Sequence, residues 1–472
     1  MAEGQSQPTA NVSGSVSPAK EPEVSMPDGG KRKRYIRAQT GKDRREYVKR
    51  KIKERSEEVT DSTTRDRPES SEPRLPKRRA ALLIGFCGSD YQGMQANEGA
   101  RTIEGELFKA LCEAGAVSAD NSTDQKKVQL QRAARTDKGV HAAGQVVSLK
   151  MIIEDPMIVE KINQHLPDQI RVWGFVRVVR SFNAKTMCDS RVYEYLLPTY
   201  TFMEPSKKCM ELARTVPFEE REIPVSSDEE IQRKRDYRAP KEVLEFVKDA
   251  FGKYKGTHDF RNFTVTKGCT ENNSKRYIHW FDVSEPMIIN GSEWLSLKVK
   301  GQSFMLHQIR KMVGLVILMV RAGAPLSLMD KLFGGPRVNV PKAPGLGLLL
   351  ERPVFDGYNK RPDSDKPGSS GKVSFEPFEK EIGEFRQKFI YDTITKTELD
   401  EAVFDNWVMS TEVFPEQYTY INKEGIIPES AIVVPGQEAR PRPRRLNASI
   451  SAPTADKETV ESSEDEQDSN DL

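Results

Sequence analysis

Ala134-Arg135-Thr136-Asp137-Lys138-Gly139-Val140-His141-Ala142 is a run in which one carboxylate stands between cations and a glycine follows. Neighbouring positive charge favours the ionised form of such a carboxylate. An ionised Asp137 can act as nucleophile or base. The plainer alternative is a turn in which Asp137 only binds backbone amides, with Lys138 and Gly139 as turn residues. On this pattern alone both readings stay open. Outward from the run, Val128 and Leu130 alternate with polar residues, as do Val147, Leu149 and Met151, so two strands are predicted on either side of it.

Further upstream, Ala80 to Phe86 reads as a buried strand followed by a turn region at Gly85, Gly88 and Gly93. A helix is predicted next. Thr102 caps it, Glu104 and Glu106 suit its positive end, Ile103, Leu107, Ala110, Leu111 and Ala114 form its apolar stripe, and Gly115 closes it. Downstream, Arg191 to Leu197 and Trp294 to Val299 read as strands. Ser303 is placed as the cap of a helix carrying Ile309, Met312, Val313, Val316, Ile317 and Val320 at helical spacing. Residues 201–240, dense in Glu, Asp and Arg, read as a charged surface insert. Residues 381–408, with Ile382, Phe385, Phe389, Ile394, Leu399 and Val403, read as an added helical unit.

Strands and helices mixed in this order indicate an α+β sheet protein built of two halves. The expected layout is a disordered basic tail over 1–73, an N-terminal half over 74–200, the insert at 201–240, a C-terminal half over 241–360, a helical extension over 361–434 and a disordered tail over 435–472. The chain has 472 residues, 36% hydrophobic and 31% charged, more charge and less core than one globule of that length needs, which is why the ends are assigned to tails. Its formal net charge of +2 makes no case for nucleic acid by itself. Charge location bears on it: Lys31-Arg32-Lys33-Arg34 resembles a nuclear-import or RNA-contacting segment, with a solvated charge run as the equal alternative, and Arg440 to Arg445 is also basic.

Five scattered cysteines without a CxxC pair suit neither a disulfide framework nor a zinc ribbon, and a reducing compartment is expected. The amino terminus carries no secretory pattern. Met312 to Val320, the longest apolar run, is much shorter than the roughly 20 residues of a spanning helix, so no membrane partner is expected.

Residues 134–142 closely resemble the catalytic loop of the TruA family of tRNA pseudouridine synthases. Collinear motifs extend that resemblance: Gly88-Ser89-Asp90-Tyr91-Gln92-Gly93-Met94-Gln95, Leu166-Pro167, Phe182-Asn183-Ala184, Arg191-Val192-Tyr193-Glu194-Tyr195, Gly256-Thr257-His258-Asp259-Phe260, residues 301–314 and Ala343-Pro344-Gly345-Leu346-Gly347-Leu348. Ala134 and Met94 stand where bacterial members commonly carry Gly and Trp, and the wording is closest to the eukaryotic branch. The resemblance implies the pseudouridine synthase fold, a two-part mixed or antiparallel sheet flanked by helices with the active-site cleft between the halves, and a cofactor-free isomerisation in which uracil is detached from its ribose, rotated and rejoined through carbon.

It further implies that Asp137 is the essential carboxylate, that Tyr193 stacks on the target base and assists proton removal, with a buried strand aromatic whose hydroxyl is satisfied as the alternative, and that Arg310 pairs with Asp137. Arg135 corresponds to the arginine that takes the place of the everted nucleotide, with a structural salt bridge as the alternative. Lys138 and His141 are RNA-binding candidates, His141 being read as structural or RNA-contacting. His165, His258, His279 and His307 are read as structural. The implied partner is folded tRNA, with small nuclear RNA and messenger RNA also allowed, and nuclear import machinery for the basic tail, so a nuclear location and a monomer are expected. No motif demands zinc. A catalytically silent tRNA-binding or tRNA-folding protein is the second reading, and the presence of Asp137, Tyr193 and Arg310 together argues against it.

Overall fold

A computed structural model describes residues 75–266, 271–361 and 370–433. The expectations for tails at 1–73 and 435–472, and both basic runs, lie outside the described residues. The described segments fall in one unit that begins at Arg74.

Among the described residues ten strands join in one sheet. In chain order they are β1 (Lys77–Phe86), β2 (Gln131–Arg132), β3 (His141–Ile152), β4 (Ile170–Arg177) and β5 (Ser190–Pro198). The second half adds β6 (Gly256–Asp259), β7 (Lys275–Val283), β8 (Met287–Ile289), β9 (Ser292–Gly301) and β10 (Leu348–Val354). The spatial order is β4-β1-β3-β10-β5-β9-β7-β6, with β2 on β3 and β8 on β9. All pairings are antiparallel except β3 with β10. Helices flank this sheet, which is the expected α+β architecture.

The parallel seam is what positions the site. β10 is the last strand in the chain yet lies between β3 and β5 of the first half, and its Leu350 is opposite Ala142 on one side and Tyr193 on the other. Adjacent strands are about 4.8 Å apart, so the start of β3 and the middle of β5 are held on the order of 10 Å from each other. β1 and β3 are buried almost end to end rather than at alternate positions, the signature of a strand covered on both faces. The carboxyl-side segment supplies part of that cover, with Phe385 meeting Trp173 of β4 edge to face at 5.2 Å between centroids.

The Thr102 cap is present: its hydroxyl accepts from Gly105 N at 3.2 Å at the start of helix Ile103–Glu113. Three local expectations are corrected. Val128 and Leu130 are not in a strand, because Asp124 caps a 3-10 turn, Gln125–Val128, and Gln129 is left-handed with φ 55°. Only Gln131 and Arg132 pair with β3. The helix assigned to Ser303 spans Gln308–Ala322 and begins after His307, itself left-handed. Its burial is nearly all round rather than a stripe, since other segments pack on every side.

The 201–240 insert is not a plain surface excursion. It contains helices Lys207–Thr215 and Asp228–Asp236, and Cys209 of the first packs with Met409, Val413 and Phe414 of the carboxyl-side helices. Lys234 forms an ion pair with Asp405. The predicted helical unit at 381–408 is found as Glu379–Phe385, Asp392–Glu401 and Val403–Val413, with a π-helical turn, Arg386–Tyr391, between the first two. No helix among the described residues is long and apolar enough to cross a membrane.

Gly314 tests the packing that carries the site. A Cβ there would stand 2.4 Å from the Pro341 carbonyl oxygen, so the backbone at 341–343 lies directly on the Gln308–Ala322 helix. Gly314→Ala should destabilise the protein by about 1–3 kcal/mol in urea unfolding through overpacking. Helix propensity acts the other way by about 1 kcal/mol, so a stabilised variant would mean that this contact yields easily.

Candidate active site

The loop that carries Asp137 is bolted along its length. Arg191 of β5 donates from Nε and Nη2 to Ala133 O at 3.1 and 2.6 Å. Gln145 of β3 binds both backbone groups of Ala134, accepting from N at 3.2 Å and donating to O at 2.8 Å. Met94 N donates to Thr136 O, and Gly139 N to Tyr91 O. The Gly88 to Gln95 segment is therefore the clamp on the catalytic-loop candidate. Gly93 is required there: its φ is +102°, and a Cβ would lie 2.8 Å from Thr136 O.

Asp137 itself remains 44% exposed, facing open solvent at the loop tip. Partial desolvation pushes its pKa up, but contact with His307 and the charges of His307, Arg310 and Lys342 outweigh this and hold the carboxyl below its ordinary value. His307 Nδ1 is 3.3 Å from Asp137 Oδ2. Arg310, one turn further along the same helix, donates from Nε to Ala343 O at 2.8 Å while Ala343 N donates to Arg310 O at 3.1 Å. The motif at 343–348 thus anchors the arginine that the sequence assigns to Asp137.

Tyr193 is 9% exposed and meets Phe304 edge to face at 5.2 Å. Burial pushes its hydroxyl up to about 12, so at neutral pH it is a phenol. Arg135 and Lys138 are exposed on the loop. His141 is fully buried, and its Nδ1 accepts from Gly88 N at 3.1 Å. Burial lowers its pKa to about 4. The RNA-contact reading of His141 is corrected: a ring with no exposed surface closes the loop instead.

Three other histidines make contacts within the protein. His165 is 3.5 Å from Glu113, His258 stacks on Phe333 at 4.1 Å and His279 meets Tyr277 at 4.8 Å. His307 instead faces Asp137. Sequence reasoning also passed over Gln145, Arg191 and Lys342, whose roles depend on contacts between distant segments. Only His307 had a usable signal, three residues ahead of Arg310 on a helix end. Lys311, buried in the same motif, donates to the carbonyls of Asn262 and Thr264, and burial lowers its pKa to about 7.

Among the described residues no group of His, Cys, Asp and Glu is arranged to hold a metal ion. Cys87, Cys112, Cys188 and Cys209 are free thiols. The arrangement offers an ionised, solvent-facing carboxylate, a pinned aromatic ring two strands away, and cations around both.

A family model described as tRNA pseudouridine synthase matches residues 250–356, the stretch containing His307 and Arg310. The protein named tRNA pseudouridine synthase 1 of Yarrowia lipolytica is 41% identical over 421 residues, covering 76% of this chain and 79% of that relative. The Kluyveromyces lactis protein of the same name is 40% identical over 425 residues, covering 78% and 76%. Pseudouridylate synthase 1 homolog of Mus musculus is 44% identical over 345 residues, covering 72% and 75%.

Proposed function

This chain belongs to the tRNA pseudouridine synthase family and is an isomerase acting on RNA uridines, and on that premise we propose that Asp137 is the carboxylate with which it does so. The observation that carries the assignment is the state of that carboxylate: ionised, 44% exposed and held by a loop clamped at Ala133, Ala134, Thr136 and Gly139. An exposed carboxylate serving only a turn would not need a rigid loop and converging cations. Asp137 either attacks the ribose or promotes a glycal, and in both routes its negative charge meets a sugar carbon that becomes electron-poor as uracil leaves.

Tyr193 stacks on the target base through a ring fixed by Phe304. As a phenol it accepts a proton only while its own moves on. Arg310 keeps Asp137 charged, and Arg135, exposed beside it, takes the space of the everted nucleotide. Lys138 meets phosphate. The reaction needs no cofactor in this scheme, and the catalytically silent reading has no support.

The substrate is proposed to be folded tRNA at several positions, with small nuclear RNA and messenger RNA as further substrates, because eversion from a stem costs a few kcal/mol that extended contacts must offset. A nuclear location, import through Lys31 to Arg34 and a monomeric state are proposed on the composition of the tail and on the packing of the insert against the carboxyl-side helices. The decisive experiment is pseudouridine mapping of total RNA from cells with and without the protein, paired with purified protein on tRNA transcripts and unstructured uridine oligomers. Equal rates on both substrates would remove the folded-tRNA reading.

Arg310→Leu should lower the rate about 10- to 100-fold, as the loss of a nearby counter-charge and of the anchor on Ala343 predicts. Arg310→Lys should be milder without being neutral, since lysine cannot reproduce the planar donor at Nε. Single-turnover assays on a tRNA transcript measure both. Unchanged turnover in Arg310→Leu would show that His307 and Lys342 suffice.

A further inference from the structure

We infer that His307 is a positioning residue for the Asp137 carboxylate, a role that rests on the reading of Asp137 as the reacting group. The geometry is directional. The histidine side chain is 10% exposed and Asp137 is 44% exposed, with Nδ1 and Oδ2 3.3 Å apart. The ring therefore approaches from the protein side and leaves the other carboxylate oxygen to the solvent side, where a ribose arrives. Nδ1 is buried and has no aligned hydrogen-bond partner among the described residues, its 3.3 Å approach to Asp137 Oδ2 being an ion-pair contact.

A carboxylate turns readily about its last torsion, because that torsion is broad and two-fold rather than staggered. Clamping the loop backbone does not stop this rotation, whereas a buried ring nitrogen 3.3 Å from Oδ2 biases it electrostatically. Arg310 adds charge from the next turn of the helix, but its Nε is already committed to Ala343 O. His307 is the group placed to select the orientation.

The backbone supplies a second, independent observation. His307 has φ 60° and ψ 11°, the left-handed region, immediately before helix Gln308–Ala322, and its side chain makes no capping bond. Glycine takes that conformation freely, and asparagine is tolerated there better than most residues. Helix building thus gives no reason for a histidine at this strained position, and strain kept at a site points to a role for the side chain.

The test uses the purified full chain and a folded tRNA transcript. His307→Gly relieves the backbone, so its melting temperature should equal or exceed that of the native protein. Its kcat should fall about 30-fold, with KM changing less than about twofold, as expected for misorientation of a reacting group without loss of RNA contacts. His307→Asn keeps a compatible backbone and an N–H donor, and should recover part of kcat. Native kcat in His307→Gly would overturn the proposal. So would equal losses in both variants accompanied by lowered melting temperatures, which a structural role predicts. Asp137→Asn measured alongside separates the two readings: if it is inactive while His307→Gly is fully active, only the positioning role fails, and if it is active, the premise itself fails.

Discussion

Asp137→Asn should cut pseudouridine formation on folded tRNA by at least about three orders of magnitude while leaving tRNA binding intact or slightly tighter. The substitution keeps nearly the same volume and removes one negative charge. Asn cannot attack a sugar carbon or balance positive charge on it. The surroundings change in a known direction, because Arg310 and Lys342 now act without the carboxylate they stabilise. Phosphate affinity should therefore rise, most visibly at low salt. Wild-type turnover should show no acid limb from this residue near neutral pH: its pKa lies below the ordinary carboxylate value, so it stays ionised through the neutral range and loses charge only as pH falls through that lowered pKa. Nucleoside mass spectrometry after a timed incubation gives the rate, and filter binding gives the affinity. Retained turnover in the Asn variant would sink the assignment.

The parts of the fold legible in the sequence are those governed by local pattern. The Thr102 cap depends on neighbours within three residues, and β1, β5 and β9 depend on continuous apolar or alternating runs. The errors share a cause. Val128 and Leu130 alternate as a strand would, but Gln129 turns left-handed, which no apolar period reports. The helix at Gln308 was placed too early because Ser303 is a good cap by residue type, whereas the true boundary is a strained histidine. The role of the 201–240 insert is illegible in the sequence because its apolar anchors, Cys209, Phe218 and Ile223, meet residues about 200 positions away.

The site divides in the same way. Asp137, Tyr193 and Arg310 are proposed as site residues on their motifs, whereas the contacts that hold them are not legible there. Gln145 reads as an ordinary polar residue of a strand until Ala134 is folded against it. The position of β10 matters most here. A seven-residue strand late in the chain pairs with both halves of the site, and nothing in its own sequence says that its neighbours are β3 and β5.

Strand β5 also carries the second large expected effect, on the face opposite Tyr193. Successive strand residues point to opposite sides, so Glu194 is turned away from the Tyr193 face and toward the carboxyl-side helices. It is fully buried and receives hydrogen bonds from Ser296 and from the Tyr391 hydroxyl, the latter at 2.5 Å. Glu351 of β10 lies beside it, and Arg386 Nη1 donates to both Glu351 oxygens at 3.1 and 2.9 Å while standing 3.8 Å from Glu194 Oε2. Arg386 and Tyr391 are the two ends of the π-helical turn. In a turn with i to i+5 bonding, residues five apart lie nearly above one another, so the widened turn presents both side chains to the same carboxylate pair.

Arg386→Leu should destabilise the protein by about 3–5 kcal/mol at neutral pH, because removing one partner of a buried charge group leaves the others uncompensated. Burial and the neighbouring Glu351 already raise the pKa of Glu194. Burial pushes Glu351 up as well, but Arg386, Lys298 and Arg352 bring it below its ordinary value. Without Arg386 both carboxyls shift upward. A folded carboxyl with a raised pKa binds more protons than the unfolded chain between the two pKa values, so stability falls as pH rises through that window and returns as pH falls. The deficit of Arg386→Leu relative to the native protein should therefore shrink on going from about pH 7 to about pH 5. Arg386→Lys should lose less, keeping the charge without the paired donors. Urea unfolding at the two pH values measures both quantities. A Leu variant as stable as the native protein at pH 7, or a deficit that grows on acidification, would show that Lys298 and Arg352 alone compensate the pair, and that the π-helical turn docks on the sheet by its apolar contacts rather than by its charge.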